Sequence, residues 1–353
     1  MGMQVRISKG YLGDTMDRKI RILFIRSSKS SFIQKDLEIL RKHFDVKIVD
    51  SDLTGKSLKG ALVTIYNIIK GILRVDITFS WFAGTHAFVA VLLSKLFRKK
   101  SIVVVGGYEV AKVPEIGYGA LLNPRSARKV KYVLENADKI LTVDDSLKKD
   151  AIKNAKVNRG NIKTVPTGYD TRKFKMSGRK ENLVITVGYI TDNIIKRKGL
   201  DTFVKAAKYL PDVEFVLIGK YADDSIEYLK SIASPNVKFT GFVPDEDLIK
   251  YYQRAKVYCQ LSRYEGLPNA LCEAMLCGCV PVGTNYCGIP TAIGDTGFYV
   301  PYGNVEATVE AIKEALESNK GEKARERIKI LFPIERREKE LIGIINSLVR
   351  WST

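Results

Sequence analysis

Two carboxylates, Glu265 and Glu273, lie in Ser262-Arg-Tyr-Glu265-Gly-Leu-Pro-Asn-Ala-Leu-Cys-Glu273, directly after the apolar run Val257–Gln260. Pro268 suits the first turn of a helix, where its missing N–H costs nothing. Glu265 then falls in the turn and Glu273 just inside the helix. Free backbone N–H groups and the helix dipole make that end, at Gly266, Leu267, Asn269 and Ala270, an anion site suited to a diphosphate. Carboxylates beside a sugar accept hydrogen bonds from its hydroxyls, so one glutamate suits a donor sugar and the other a ribose diol. On spacing alone, two surface glutamates favouring a helix N-terminus fit as well.

Lys198 reads independently as a phosphate ligand. Gly188 ends a strand, the stretch after it reads as a flexible loop, and Arg197 and Lys198 meet the start of a helix. A fixed cation there stabilises the charge that develops on a departing nucleoside diphosphate more than it stabilises the ground state. Gly219 and Gly241 each end an apolar run, as turn glycines do.

These residues need strand-to-helix turns to hold them. In the first half, strands are expected at Ile20–Ile25, Val46–Val49, Asp76–Ser80, Ser101–Val105 and Lys139–Val143. Helices are expected at Ser31–His43, Leu58–Leu73, Ala87–Phe97 and Ala127–Asn136. The second half repeats the plan. Its strands are Leu183–Val187, Val213–Ile218, Val237–Thr240, Val257–Gln260 and Val280–Gly283. Its helices are Leu200–Tyr209, Ser225–Ala233, Glu246–Arg254, Ala270–Cys277, Val305–Ser318 and Ile334–Trp351. Such alternation implies open parallel sheets covered on both faces. The expected domains are 1–170 and 181–333. A basic linker, 171–180, joins them, and a last segment, 334–353, follows. Ligands of such sheets bind outside the carboxyl ends of the strands.

Taken in order, these segments resemble the retaining glycosyltransferases of family 4, of the glycosyl transferases group 1 type. Glu265 to Glu273 matches their E-x7-E arrangement, and Val165-Pro-Thr-Gly168-Tyr-Asp170 through Phe174 their interdomain segment. Val187-Gly188 with Lys198-Gly199-Leu200 is similar to their glycine loop. Phe239-Thr-Gly241-Phe-Val-Pro-Asp245, Ala274-Met-Leu-Cys-Gly278-Cys-Val-Pro281 and Gly288-Ile-Pro290 resemble further motifs of the family. The similarity is strong over roughly 160–305 and holds only in outline before that. It implies an α/β architecture of the GT-B fold, two Rossmann-like domains facing a deep cleft, with 1–170 binding an acceptor, 181–333 a nucleotide sugar, and 334–353 packing back on the first domain. It implies a UDP- or GDP-sugar donor, no metal, Lys198 on the diphosphate, and backbone at Phe242 and Val243, after Gly241, on the base. Two departures stand out. Tyr189 occupies the place of an arginine after the glycine, leaving Lys196 or Arg197 to supply that cation. Gly106 replaces a histidine that touches the donor sugar in many relatives.

On the acceptor side, Val105-Gly-Gly-Tyr108-Glu109 follows the fourth strand, and Glu109 is expected to contact an acceptor hydroxyl and to join Glu265 and Lys198 as a catalytic candidate. Tyr108, His86 and Ser28, the last in the donor-rich loop Arg26–Ser31, complete the acceptor candidates; a capping role for His86 fits as well.

Composition narrows the partners. Residues 1–180 hold 36 Lys and Arg against 16 Asp and Glu, a balance of +20, and the remainder is near neutral. A basic half attracts phosphate-rich targets. Leu58–Leu73 with Lys56, Lys59, Lys70 and Arg74, and Arg125–Lys131, are candidate surfaces for a lipid-linked acceptor at an inner membrane face. A core helix with solvated ends accounts for the first equally well. No apolar run reaches the roughly 18 residues of a membrane span, and Met1–Lys19 lacks a signal-peptide core, so a cytoplasmic protein is expected, peripheral at the membrane. All five cysteines fall between Cys259 and Cys287, without the spacing of a disulfide framework or a zinc site. Asp144-Asp145 and Asp223-Asp224 read as helix caps, not metal ligands. Two other classes use the same residues: a GT-B phosphorylase or sugar-phosphate synthase, and a non-catalytic binder of nucleic acid or glycan.

Overall fold

The computed structural model describes residues 19–53, 58–157 and 160–350. Lys56 and Trp351, named above, lie outside them. The first lobe runs β1 (Arg21–Arg26), α1 (Ser31–His43), β2 (Asp45–Asp50), α2 (Leu58–Ile72), β3 (Ile77–Trp81), α3 (Thr85–Leu96), β4 (Lys100–Val105), α4 (Pro124–Asn136), β5 (Lys139–Thr142), α5 (Asp145–Ala155) and β6 (Ile162–Thr164). The second runs β7 (Glu181–Val187), α6 (Asp192–Lys198), α7 (Leu200–Ala207), β8 (Glu214–Ile218), α8 (Ser225–Ser231), β9 (Val237–Phe239), α9 (Asp245–Arg254), β10 (Ala255–Gln260), α10 (Asn269–Leu276), β11 (Val280–Thr284), α11 (Ile289–Ile293), β12 (Phe298–Val300), α12 (Val305–Glu317) and α13 (Gly321–Leu331). The last helix is α14 (Ile334–Arg350).

Both sheets are parallel and six-stranded, in the orders β2-β1-β3-β4-β5-β6 and β12-β11-β10-β7-β8-β9. Their central strands are continuous apolar runs because both faces are covered; every residue of β3 is buried. In the second sheet the chain travels outward through β8 and β9, then returns to place β10 on the other side of β7. The connections from β7 and β10 therefore diverge, and their carboxyl ends open a crevice at the switch point.

The sequence pattern missed six elements. β6 and β12 are three-residue edge strands. α5, α11 and α13 carry short apolar stripes. The correction with most consequence is α6, which replaces the expected flexible loop. Thr191 caps it by accepting a hydrogen bond from Ile194 N, and Gly199 ends it in the left-handed region at φ 63°. Lys198 thus closes one helix and does not open the next. Asp144 does cap a helix, accepting from Ser146 N.

The stretch after Asp170 is pinned to the second lobe. Phe174 is buried beside Tyr252, and Lys180 Nζ donates to Tyr252 O and Cys277 O. α14 returns to the first lobe and packs on α1. There Arg337, 1% exposed, makes a bidentate pair with Asp36 at 2.7 and 2.6 Å, and Trp81 Nε1 donates to the same carboxylate at 2.9 Å. Asp36 sits within the buried Ile33, Leu37 and Leu40 face of α1, so its charge is tolerated only because it is paired. Among the described residues no helix is long and apolar enough to cross a membrane.

Removing one member of a buried pair strands the other. Arg337→Met is expected to lower stability by about 3–5 kcal/mol, measured by chemical denaturation; a loss below about 1 kcal/mol would contradict this account of the α14 anchor.

Candidate active site

Three glycines build one wall of the crevice. Gly188 N donates to Ile218 O at 2.9 Å and Gly219 N to Gly241 O at 3.0 Å, which ties the ends of β7, β8 and β9 together. Gly219 has φ 154°, and a Cβ there would overlap the Gly188 carbonyl. The result is a backbone shelf that no side chain can fill. Phe242, 73% exposed, and half-buried Val243 stand at its outer edge.

Against this shelf sits a cluster of charges. The last turn of α6 carries Lys196, Arg197 and Lys198, the position where cations meet the negative end of the helix dipole. Lys196 turns outward to Asp192. Arg197 Nη1 reaches Glu265 Oε1 at 2.8 Å, and Lys198 Nζ reaches the same oxygen at 3.3 Å. Gln260 Nε2 and Ser262 Oγ donate to it as well, at 3.3 and 3.2 Å. Arg263 N donates to Arg197 O at 2.7 Å and fixes the end of α6 to the turn after β10. The three charged side chains are only 15–16% exposed. Two cations face one anion, so the cluster keeps an uncompensated positive charge in a dry place. Burial alone would raise the Glu265 carboxyl, yet Arg197 and Lys198 hold it below the ordinary carboxylate range. Burial pushes the Lys198 ammonium down, and Glu265 offsets only part of that.

Glu265 and Lys198 thus meet as expected, joined by Arg197, and Gly188 packs directly on the Lys198 stem. Glu273 goes elsewhere. It is buried one turn into α10 and pairs with Lys35 of α1 in the other lobe at 3.2 Å. The N-terminal end of α10 has no side-chain cap, and Asn269 Oδ1 is buried there without a hydrogen-bond partner. Gly266 and Leu267 are buried, and half-buried Ala270 packs against the same core. A Cβ on Gly266 would strike Gly106 O and Val143, so this glycine lets the lobes touch.

Two of the acceptor-side expectations, Glu109 and His86, need correction. Glu109 is buried and accepts from Ala83 N, Gly106 N and Gly107 N at 3.1, 3.3 and 2.9 Å. Its carboxylate ties together the ends of β3 and β4 and has no free edge for an acceptor or for catalysis. His86 is also buried, bound to Trp81 O at 2.7 Å, with its basicity lowered by burial. It secures the β3 turn, the capping alternative. Ser28 bonds its neighbour Ser30 at the end of β1. Tyr108 is 53% exposed and meets Tyr118 edge-on.

Sequence reasoning missed Tyr118, Asp150, Tyr264 and Lys35. Tyr118 comes from a turn of the first lobe and lies under the Arg197 guanidinium at 5.2 Å and beside Tyr264. Tyr264 OH donates to Asp150 across the lobes at 2.6 Å. No local pattern marks these long-range contacts. Lys35 had a signal, since it adjoins an aspartate set in an apolar helix face.

Two parallel Rossmann-like sheets facing one another, joined near residue 170 and closed by a returning helix, define the GT-B fold. Anabaena Alr3699/HepE, solved in complex with UDP and glucose, superposes with a TM-score of 0.78 at 16% identity over 93% of this chain and 100% of that one, a likeness of fold. Residues 170–330, just under half of the chain, match the family described as Glycosyl transferases group 1. The Escherichia coli O-antigen chain mannosyltransferase B is 34% identical over 83 residues, 24% of this chain and 22% of that protein. A GDP-mannose-dependent monoacylated alpha-(1-6)-phosphatidylinositol monomannoside mannosyltransferase of Corynebacterium glutamicum is 27% identical over 227 residues, 58% of each. The matches therefore span less than two thirds of these curated relatives.

The buried ammonium makes a pH prediction. A diphosphate ligand of Lys198 would require the protonated ammonium, and burial depresses its pKa. The alkaline limb of kcat/KM, which reports the free enzyme, should lie below the ordinary lysine value and move upward in Lys198→Arg. An unchanged limb would rule out Lys198 as the titrating cation. Separately, Gly219→Ala should abolish nucleotide-induced thermal stabilisation; retained stabilisation would mean the shelf is not the nucleotide's seat.

Proposed function

We propose that the protein is a retaining glycosyltransferase that moves a hexose from a UDP- or GDP-sugar to an acceptor hydroxyl. The observation that carries this is the pair of cations on Glu265 Oε1 at the switch point, with the glycine shelf on one side and an uncapped helix end on the other. A nucleotide base rests on the shelf near Phe242 and Val243. The diphosphate engages Arg197, Lys198 and the α10 N–H groups, where charge developing on the leaving group is stabilised in a dry, preorganised site. Those cations then have a stronger counter-ion than Glu265, which turns to the sugar hydroxyls. The bond from the anomeric carbon to the diphosphate oxygen breaks with its electron pair going to phosphate. The acceptor oxygen bonds the same face, and its proton passes to the departing phosphate. No metal enters this reading, because the cationic role falls to Arg197 and Lys198.

The acceptor, a glycan or a lipid-borne hydroxyl, approaches from the first lobe past Tyr108. A lipid-borne acceptor brings the protein to the inner face of a membrane as a peripheral protein. The names of the curated relatives, a mannosyltransferase of O-antigen chains and one of phosphatidylinositol mannosides, support this direction.

Release of nucleoside diphosphate from a panel of nucleotide sugars, with glycan and lipid acceptors, tests the reading. Lys198→Ala and Glu265→Gln are each expected to cut kcat/KM by about 10²–10³-fold in protein whose folding is verified by thermal melting. Turnover only with inorganic phosphate or a sugar phosphate would assign a phosphorylase or sugar-phosphate synthase. Salt-steep nucleic-acid binding without turnover would assign a binder.

A further inference from the structure

Outside the crevice, the feature that calls for a partner is the outer stripe of α2. Leu62, Val63, Tyr66 and Leu73 are 50–62% exposed along it, and Leu96 at the end of α3 is 71% exposed. Helical spacing places Leu62, Val63, Tyr66 and Leu73 on one face, while Thr64, Ile68 and Ile72 fill the opposite, buried one. Cations frame the stripe: Lys59, Lys70, Arg74 and, from the turn after α3, Arg98 are exposed. Neither α2 nor α3 contains an Asp or Glu. Between β2 and α2 a cavity of about 440 Å³ opens beside the stripe, with Lys47, Lys70, Arg74 and Asn67 on its walls. Asp50, also on its wall, is already paired with Arg26.

Protruding apolar side chains in a mainly cationic frame mark a contact surface. A second copy of this chain would set cations against cations. An anionic bilayer satisfies both halves of the pattern, apolar side chains entering the acyl boundary and cations meeting phosphates. We infer that the α2–α3 face docks the protein on an anionic phospholipid surface, with a headgroup phosphate seated in the groove between β2 and α2. This deepens the acceptor reading above by naming the surface, yet it is tested without donor, acceptor or turnover.

The full chain is sedimented with vesicles of phosphatidylcholine alone and of phosphatidylcholine with phosphatidylglycerol, at low and high salt. The protein should pellet with the anionic vesicles at low salt and stay in solution with the neutral ones. Lys70→Glu/Arg74→Glu and Leu62→Ser/Tyr66→Ser should each lower the vesicle-bound fraction by about tenfold or more, with unchanged melting temperatures. Lys313→Glu/Lys329→Glu, a charge-matched change on the second lobe, should leave it unaltered. The inference fails if the parent protein ignores anionic vesicles at low salt, or if the second-lobe variant loses as much binding. It fails equally if Leu62→Ser/Tyr66→Ser instead dissolves a concentration-dependent dimer. Loss of transfer with vesicle binding intact would count against the transferase reading alone.

Discussion

One carboxylate oxygen facing two buried cations sets the character of the second lobe. Glu265 Oε1 cannot neutralise both Arg197 and Lys198. The neutral donors Gln260 and Ser262 share the oxygen but add no charge. Holding unmatched charge away from water is costly unless a counter-ion arrives. That imbalance is what the proposed diphosphate would offset. Strand order assembles the cluster: β10 lies beside β7, so the turn bearing Glu265 meets the helix that follows β7. The left-handed Gly199 stops α6 just after Lys198 and turns the chain into α7, so the two cations end where the crevice opens.

The same economy of placement joins the lobes. Lys35 and Asp36 are adjacent on α1 but serve different contacts. Asp36 holds Arg337 and with it α14, while Lys35 crosses to Glu273 of α10. The two loops nearest the charge cluster touch through glycines, Gly106 against Gly266. Tyr118 then lays a first-lobe ring under Arg197, and Asp150 receives Tyr264. The charge cluster of the second lobe is therefore in physical contact with the first lobe, and any change in Glu273 pairing is felt at α1.

Much of this was legible in the sequence, and what was not has a physical cause. Ser31–His43 was read to the residue because its apolar face repeats at helical spacing. The junction of Glu265 with Lys198 was legible because each lies in the connection that follows a strand, β10 and β7, and those strands are neighbours. α6 was missed because only Ile194 and Ile195 interrupt its polar run. Glu109 misled for a different reason. Exposed and buried glutamates look alike in a glycine-rich turn, and only the fold shows three backbone N–H groups closing on this one. Glu273 was placed on the right helix, but its partner lies 238 residues away, and no local pattern reports a contact at that separation.

The claim that the crevice holds an unsatisfied positive charge meant for two phosphates is tested most directly by titration calorimetry of nucleoside mono- and diphosphates of the same base. The account predicts that the diphosphate binds at least about tenfold more tightly, and that the difference collapses in Lys198→Met. Equal affinity for both nucleotides, or a difference that survives loss of the ammonium, would contradict it.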